Sequence, residues 1–275
     1  MRILYLTDRL SHRGGAPHHL MDIIQAQASA HTIRVAAGSM DADVELPDGV
    51  EFERVSGLRS GTSKTTGLAR LDPLLEWADL IHAQNVMNPV ALARATQHNS
   101  IVTVQDHRVF CPGPGKTLPS DQSCEHQMNE SVCADCLPDP SHREHMLAAT
   151  NARLEAIRSA KRIIVLSEYM AQAIQQSGLD QTVVIPPPVP VGPPKDAAGY
   201  GFLMAGRMVR HKAPTMAHRA WKQSGTTQPL RIAGLGSEKA ALADTIDLGW
   251  LTRPQLREAM AASRAFLFPS RWQEP

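Results

Sequence analysis

Gly206-Arg207-Met208-Val209-Arg210-His211-Lys212 is the stretch whose residue types could act on a charged ligand. Arg207 offers a planar fork that matches two oxygens of a phosphate, and Lys212 adds a compact point charge. The apolar run 200–205 before it reads as a short buried strand, and residues 214–223 after it read as a helix. A glycine and two separated cations therefore stand where a strand ends and a helix begins. In an open α/β sheet that crevice is where ligands bind, and the first amides of the helix add partial positive charge. The stretch reads as a clamp for a diphosphate; taken alone, it fits a solvated basic turn equally well.

Three other groups could do chemistry. Gly14-Gly15 lies between a strand over 2–6 and an apolar-periodic helix over 18–28. Paired glycines let backbone amides approach an anion closely, because no Cβ intrudes. The pattern is not G-x-G-x-x-G, so a dinucleotide fingerprint is absent and a plain loop also fits. The polar runs His82-Ala83-Gln84-Asn85 and Gln105-Asp106-His107 end apolar strands over 78–82 and 100–104. Such strand ends face the crevice side of a parallel sheet, although His82 alone reads better as a satisfied core histidine. Cys111, Cys124, Cys133 and Cys136 are spaced C-x12-C-x8-C-x2-C within a Pro-, Gly- and Ser-rich insertion over 108–140. Four thiolates with one C-x2-C pair can enclose a tetrahedral structural zinc; buried thiols or a redox pair are the other readings. A catalytic zinc is disfavoured, since four cysteines leave no open position.

These groups need elements to hold them. The 275 residues suffice for two domains, and 43% hydrophobic with 20% charged residues describes a globular protein. Net charge is +1, from 28 basic and 27 acidic residues. That balance gives no case for nucleic acid as a partner, and aromatics at 4% give no stacking platform. No apolar run approaches the roughly 20 residues of a spanning helix, and residues 1–8 read as a strand rather than a secretory leader. Further strands are expected over 32–37, 50–55, 162–166, 182–185, 230–233, 246–248 and 265–268. Helices are expected over 68–77, 90–96, 142–160, 238–244 and 253–262, the last opened by a T-x-x-Q capping box at Thr252 and Gln255. The Gly-, Ser- and Thr-rich stretch 56–66 reads as a mobile loop. The proline run 186–194 can be neither helix nor central strand; it reads as a stiff linker dividing domains 1–190 and 191–275.

Five stretches in this order carry a resemblance. They are Gly14-Gly15; Val102-Thr103-Val104-Gln105-Asp106 with Cys111-Pro112; Ile164-Val165-Leu166-Ser167 through Val184-Ile185-Pro186; Gly206-Arg207 with Lys212; and Leu267-Phe268-Pro269-Ser270 with Glu274-Pro275. Together they resemble the retaining glycosyltransferases of family 4. The resemblance implies the GT-B fold, an α/β architecture of two Rossmann-like domains, the second incomplete here. It implies transfer of a sugar from a nucleoside diphosphate sugar to a hydroxyl of a saccharide or lipid-linked acceptor, with retained configuration and no metal needed for catalysis. It places donor phosphates at Gly14, Gly15, Arg207 and Lys212, and Glu274 against the donor sugar, with Asp106 and His107 as catalytic candidates at the end of the fifth strand. A cytoplasmic protein is implied, and peripheral contact with the inner face of the membrane is left open.

Three departures qualify the resemblance. Gln105 stands where the family commonly has a histidine; it can hydrogen-bond but cannot titrate. Pro187-Pro188 replaces the usual Asn-Gly of the linker. The chain as given stops one residue after Glu274, the first glutamate of an E-x7-E motif, so a truncated frame or fragment is expected, with strand 265–268 near the middle of its sheet. A second reading follows from these departures: a non-catalytic remnant that binds a nucleotide or a partner. A third, an epimerase or glycan phosphorylase on the same fold, finds no clear acid–base set in the sequence.

Overall fold

The computed structural model describes residues 1–189 and 199–271, which fall into two compact units with those bounds. The first unit alternates strands and helices: β1 (Arg2–Thr7), α1 (Gly15–Gln27), β2 (Thr32–Ala37), β3 (Glu51–Arg54), α2 (Leu71–Trp77), β4 (Leu80–Gln84), α3 (Pro89–Thr96), β5 (Ser100–Val104), α4 (Pro140–Arg158), β6 (Arg162–Val165), α5 (Glu168–Gln175) and β7 (Thr182–Val184). All seven strands are parallel, in the order β3-β2-β1-β4-β5-β6-β7. The sequence reverses direction between β1 and β4, the switch point of a doubly wound sheet.

Strand alternation builds the two faces. β1 sends Leu4 and Leu6 to one side, where they join Ile81, Val102, Ile163, Leu75, Leu92 and Ile157. It sends Ile3 and Tyr5 to the other side, against Ile33, Val35, Leu20 and Ile24. A parallel strand covered by helices on both faces must be apolar throughout, and five of the six β1 residues are buried.

The second unit is smaller: β8 (Phe202–Ala205), α6 (Pro214–Gln223), β9 (Leu230–Ala233), β10 (Ile246–Gly249), α7 (Arg253–Ala261) and β11 (Ala265–Phe266), in a parallel sheet ordered β10-β9-β8-β11. Its core centres on Met204, Met208, Ala217, Leu230, Ile232 and Leu242. Gln255 Oε1 accepts from the Thr252 amide at 2.9 Å, closing the capping box that opens α7.

Four expectations need correction or limits. The helix expected over 238–244 is one 3-10 turn, Lys239–Ala241, because the Glu238 amide is spent on Met208 O at 2.9 Å and Asp244 takes a left-handed φ of 61°. Strand β11 keeps two residues and, among the described residues, pairs only with β8 at the sheet edge, not in the middle. The loop 56–66 is tied to α3 at two points: fully buried Asn88 donates to Gly57 O at 2.9 Å and to Lys64 O at 2.8 Å. Of the proline run, 186–189 is neither helix nor strand, and its remainder lies outside the described residues.

Candidate functional site

In the second unit the structure assembles the basic stretch from three loops. β8 is followed by Gly206, whose φ of 141° suits only glycine, and then by Arg207, exposed. A 3-10 turn, Arg210–Lys212, then leads through Ala213, at a left-handed φ of 48°, into α6 with Pro214 in its first turn. The loop after β9 lies directly against this one. Gly206 N donates to Ala233 O at 3.0 Å, Met208 N to Leu235 O at 2.8 Å, and Glu238 N to Met208 O at 2.9 Å. The approach is so close that a Cβ on Gly234 would overlap the Gly206 carbonyl, and one on Gly236 would overlap the Met208 carbonyl. The loop after β11 joins through Arg271 N, which donates to His211 O at 2.8 Å.

Arg207 and Lys212 are thereby held at the carboxyl ends of β8, β9 and β11, where a parallel α/β sheet presents its ligand surface. The Arg207 guanidinium donates to His211 Nε2 at 3.2 Å, and Lys212 Nζ stands 6.0 Å from the centre of the Phe268 ring. The buried Met208 between them anchors the turn in the core. Sequence reading missed the part played by Gly234, Gly236 and Arg271. The Gly-Leu-Gly triplet is visible as a turn, but its partner across the sheet is not.

The first unit presents a second polar constellation at the ends of β1, β4 and β5. Gly14, at φ 105°, and Gly15 open α1, and no side chain caps the helix, so its first amides stay available to an anion. Beneath them Gln84 Nε2 donates to Ala16 O at 3.0 Å and to Gln105 Oε1 at 2.8 Å. Asn85 Nδ2 also donates to Gln105 Oε1, at 2.9 Å, and Gln105 Nε2 donates to His19 Nδ1 at 2.6 Å. His19 therefore carries its proton on Nε2, and burial lowers its pKa. Gln105 fills a structural role here, tying β4, β5 and α1 together.

Asp106 and His107 part company after β5. Asp106 caps the following turn by accepting from Arg108 N at 2.9 Å, and its other oxygen accepts from Arg108 Nε at 2.7 Å. Arg108 also lies 3.7 Å from Asp8, whose pKa is raised by burial against the pull of Arg108. Asp8, Asp106 and Arg108 thus form one partly exposed charged group. The His107 ring is only 1% exposed, packed edge-on to Phe110 and beside Tyr169. β5 stops at Val104, so the alternation that would have set Gln105 and His107 on one face does not continue. His82 is the satisfied core histidine, its Nε2 2.6 Å from Thr103 Oγ1 and its pKa pushed down to about 4 by burial. Glu274 lies outside the described residues.

The four cysteines carry no disulfide. The backbone of Lys116 links two of them: its N–H donates to Cys111 Sγ at 3.3 Å, and its carbonyl accepts from Cys124 N at 2.7 Å. Cys136 Sγ lies 3.9 Å from the next carbonyl, Thr117 O. Burial raises the Cys133 and Cys136 thiols, with a smaller push from Cys111 and Cys124. Among the described residues no group of three or more His, Cys, Asp or Glu is placed to hold a metal ion.

Comparison with known proteins agrees with this architecture. No curated protein matches the chain. Among solved structures, HepE of Anabaena in complex with UDP is similar at a TM-score of 0.62 and 18% identity, over 100% of this chain and 76% of that one. WaaG, a glycosyltransferase involved in lipopolysaccharide biosynthesis, gives 0.63 and 15% over 98% and 75%. TarM gives 0.65 and 9% over 96% and 79%. At these identities the likeness establishes a shared fold, the GT-B arrangement of two Rossmann-like α/β domains. A family model described as the glycosyl transferase 4-like domain matches residues 14–188, more than half of the sequence, and the chain belongs to that family.

Proposed function

We propose that this chain transfers a hexose from a nucleoside diphosphate sugar to a hydroxyl of a saccharide or lipid-linked acceptor, with retention of configuration. One observation carries the reading: three loops at the carboxyl ends of β8, β9 and β11 lock together by backbone hydrogen bonds and hold Arg207 and Lys212 on one side of the sheet. A departing diphosphate gathers negative charge in the transition state, and fixed cations aimed at that charge lower the barrier without reorganising. Structures of HepE with UDP and with UDP-glucose support a uridine donor.

In this reading Arg207 grips two diphosphate oxygens and Lys212 neutralises the same group. The uncapped amides at Gly14 and Gly15 offer partial positive charge to phosphate. The leaving phosphate assists removal of the acceptor proton on the face it vacates, which retains configuration. Glu274 contacts the donor sugar. Of the candidates after β5, Asp106 is partly exposed and can meet a ligand, whereas buried His107 holds the strand end in place. No metal takes part in the transfer. The protein works in the cytoplasm, with peripheral contact at the membrane for a lipid-linked acceptor; no described helix is long and apolar enough to cross a membrane.

UDP and GDP titrations test the clamp. Arg207→Ala and Lys212→Ala should each weaken nucleotide binding by about 1.5–3 kcal/mol, the range for hydrogen bonds to charged groups. Unchanged affinity in both variants would remove the assignment. The anomeric proton coupling of the product, read by NMR, tests retention.

A further inference from the structure

The pinned loop of the first unit borders an open depression of about 440 Å³ that the donor reading does not use. Arg54, Arg59 and Lys64 line it, with hydroxyls from Ser56 and Thr66 and a floor at Gly38. Its position is that of a ligand site: Gly38 directly follows β2, Arg54 ends β3, and both stand at the carboxyl edge of the parallel sheet.

The charge balance of the depression is unusual. Both carboxylates of β3 are occupied elsewhere, Glu51 by Arg34 at 2.6 Å and Glu53 by Arg70 at 3.6 Å. Among the described residues, the side chains of Arg54 and Lys64 have no ion pair or hydrogen bond. Arg59 is near enough to Asp8 to attract its carboxylate, which Arg108 attracts more strongly. Three exposed cations therefore line one depression, and among the described residues two of them have no ion pair.

Their placement is built into the fold. Asn88, fully buried, fixes the loop by donating to Gly57 O and Lys64 O. Arg153, 2% exposed, donates to Gly61 O at 3.4 Å and to Arg108 O at 3.0 Å. Leu58 and Leu68 bury the two ends of the loop in the core. Gly38 lacks the Cβ that would collide with the Arg59 side chain and would stand 2.7 Å from Asp8 O, so the guanidinium stem lies flat across the end of β2. Ordering a loop costs conformational freedom, and here that cost is met so as to present cations.

We infer that this depression binds the phosphate group of a phosphate-bearing acceptor. The inference rests on the transferase reading for the word acceptor, but the phosphate site stands on its own geometry. A phosphate carries a charge of about −1.5 to −2 and three acceptor oxygens, which two guanidinium forks, an ammonium and two hydroxyls can satisfy together. A carboxylate would leave most of the positive charge uncompensated. The phosphate can belong to a soluble sugar phosphate or to the monoester headgroup of a lipid such as phosphatidic acid, and the monoester chemistry at the site is the same.

The test titrates the full chain, with UDP at saturation, with glucose 6-phosphate, glucose and glucuronate. In parallel it measures sedimentation with vesicles of phosphatidylcholine containing phosphatidic acid or of phosphatidylcholine alone. Binding of glucose 6-phosphate but not glucose, weakened about tenfold or more in Arg59→Gln/Lys64→Gln, supports the site with a soluble acceptor. Selective binding to phosphatidic acid vesicles, lost in the same variant, supports it with a lipid acceptor. Glucuronate binding as tight as glucose 6-phosphate overturns the phosphate assignment. So does wild-type protein that binds neither probe, or a variant that binds both as well as wild type does. UDP affinity, measured in the same samples, should be equal in wild type and variant. Its absence from wild type would instead count against the donor reading and leave this one standing. Should the double variant lose its thermal transition, the single Lys64→Gln, at an exposed position, carries the same comparison.

Discussion

Replacing Asn88 with alanine should unpin the basic loop and weaken the first unit together. The Asn88 carboxamide does two jobs at zero exposure. Its oxygen caps α3, accepting from Val90 N at 2.9 Å and Ala91 N at 3.3 Å. Its nitrogen holds Gly57 O and Lys64 O. Loss of the cap costs about 1 kcal/mol. Two carbonyls left without their donor cost about 1 kcal/mol or more each. The sum is about 3–4 kcal/mol, and at roughly 2–4 °C per kcal/mol the melting temperature should fall by roughly 6–15 °C. Denaturant unfolding followed by circular dichroism gives the free energy, and hydrogen exchange over 57–67 reports the loop. Asn88→Ser separates the two jobs: it can restore the cap, about 1 kcal/mol, but cannot reach both carbonyls. An alanine variant costing under about 1 kcal/mol, or a serine variant as stable as wild type with an unchanged loop, would refute the claim that Asn88 fixes the loop.

Gly236→Ala adds a Cβ against the Met208 carbonyl at a φ of 155°, so it should destabilise the second unit by about 3 kcal/mol or more and weaken UDP binding; a stable variant with native affinity would contradict the close loop packing. His82 has a folded pKa of about 4, below the ordinary value near 6.5, so the unfolded chain takes up its proton first. The stability His82 contributes is present above about pH 6.5 and lost as pH falls toward 4, by about 3 kcal/mol in total; the difference between wild type and His82→Gln, measured by urea unfolding at pH 7 and pH 5, should show it. If Cys111, Cys124, Cys133 and Cys136 form a structural zinc site, purified protein should carry about one zinc per chain and lose stability with a chelator. Uptake should strengthen as pH rises, because burial keeps the Cys133 and Cys136 thiols protonated and the metal must displace those protons. Metal analysis finding none, with four freely titrating thiols, would exclude the zinc and leave the transferase reading intact.

The periodicity of apolar residues was enough to place nearly every strand and the longer helices, because burial on both faces of a parallel sheet demands continuous apolar runs such as Ile3 to Leu6. It failed at 238–244, where local helix preference lost to a backbone hydrogen bond from Glu238 to a residue some thirty positions earlier. That Arg207 and Lys212 follow a glycine at a strand end was legible, since charge and spacing are local properties. That Gly234, Gly236 and Arg271 pack against this turn was not legible, because no local pattern announces which loop a turn will touch.

The same division holds in the first unit. Composition alone made 56–66 look like a mobile loop; it is rich in small polar residues and carries no period. The Asn88-Pro89 pair signals a helix start, so the cap could be read from the chain, yet the other end of the same carboxamide reaches back across 24 to 31 residues. His107 looked available beside Asp106 in the sequence, and only packing shows its ring enclosed by Phe110 and Tyr169. By itself, then, the sequence determined the alternation of strands and helices and the identity of the cations, both of which follow from side-chain chemistry and near-neighbour spacing. The tertiary structure alone decided which cations share a surface and which polar groups are spent on the core, because those depend on hydrogen bonds and burial between segments far apart in the chain.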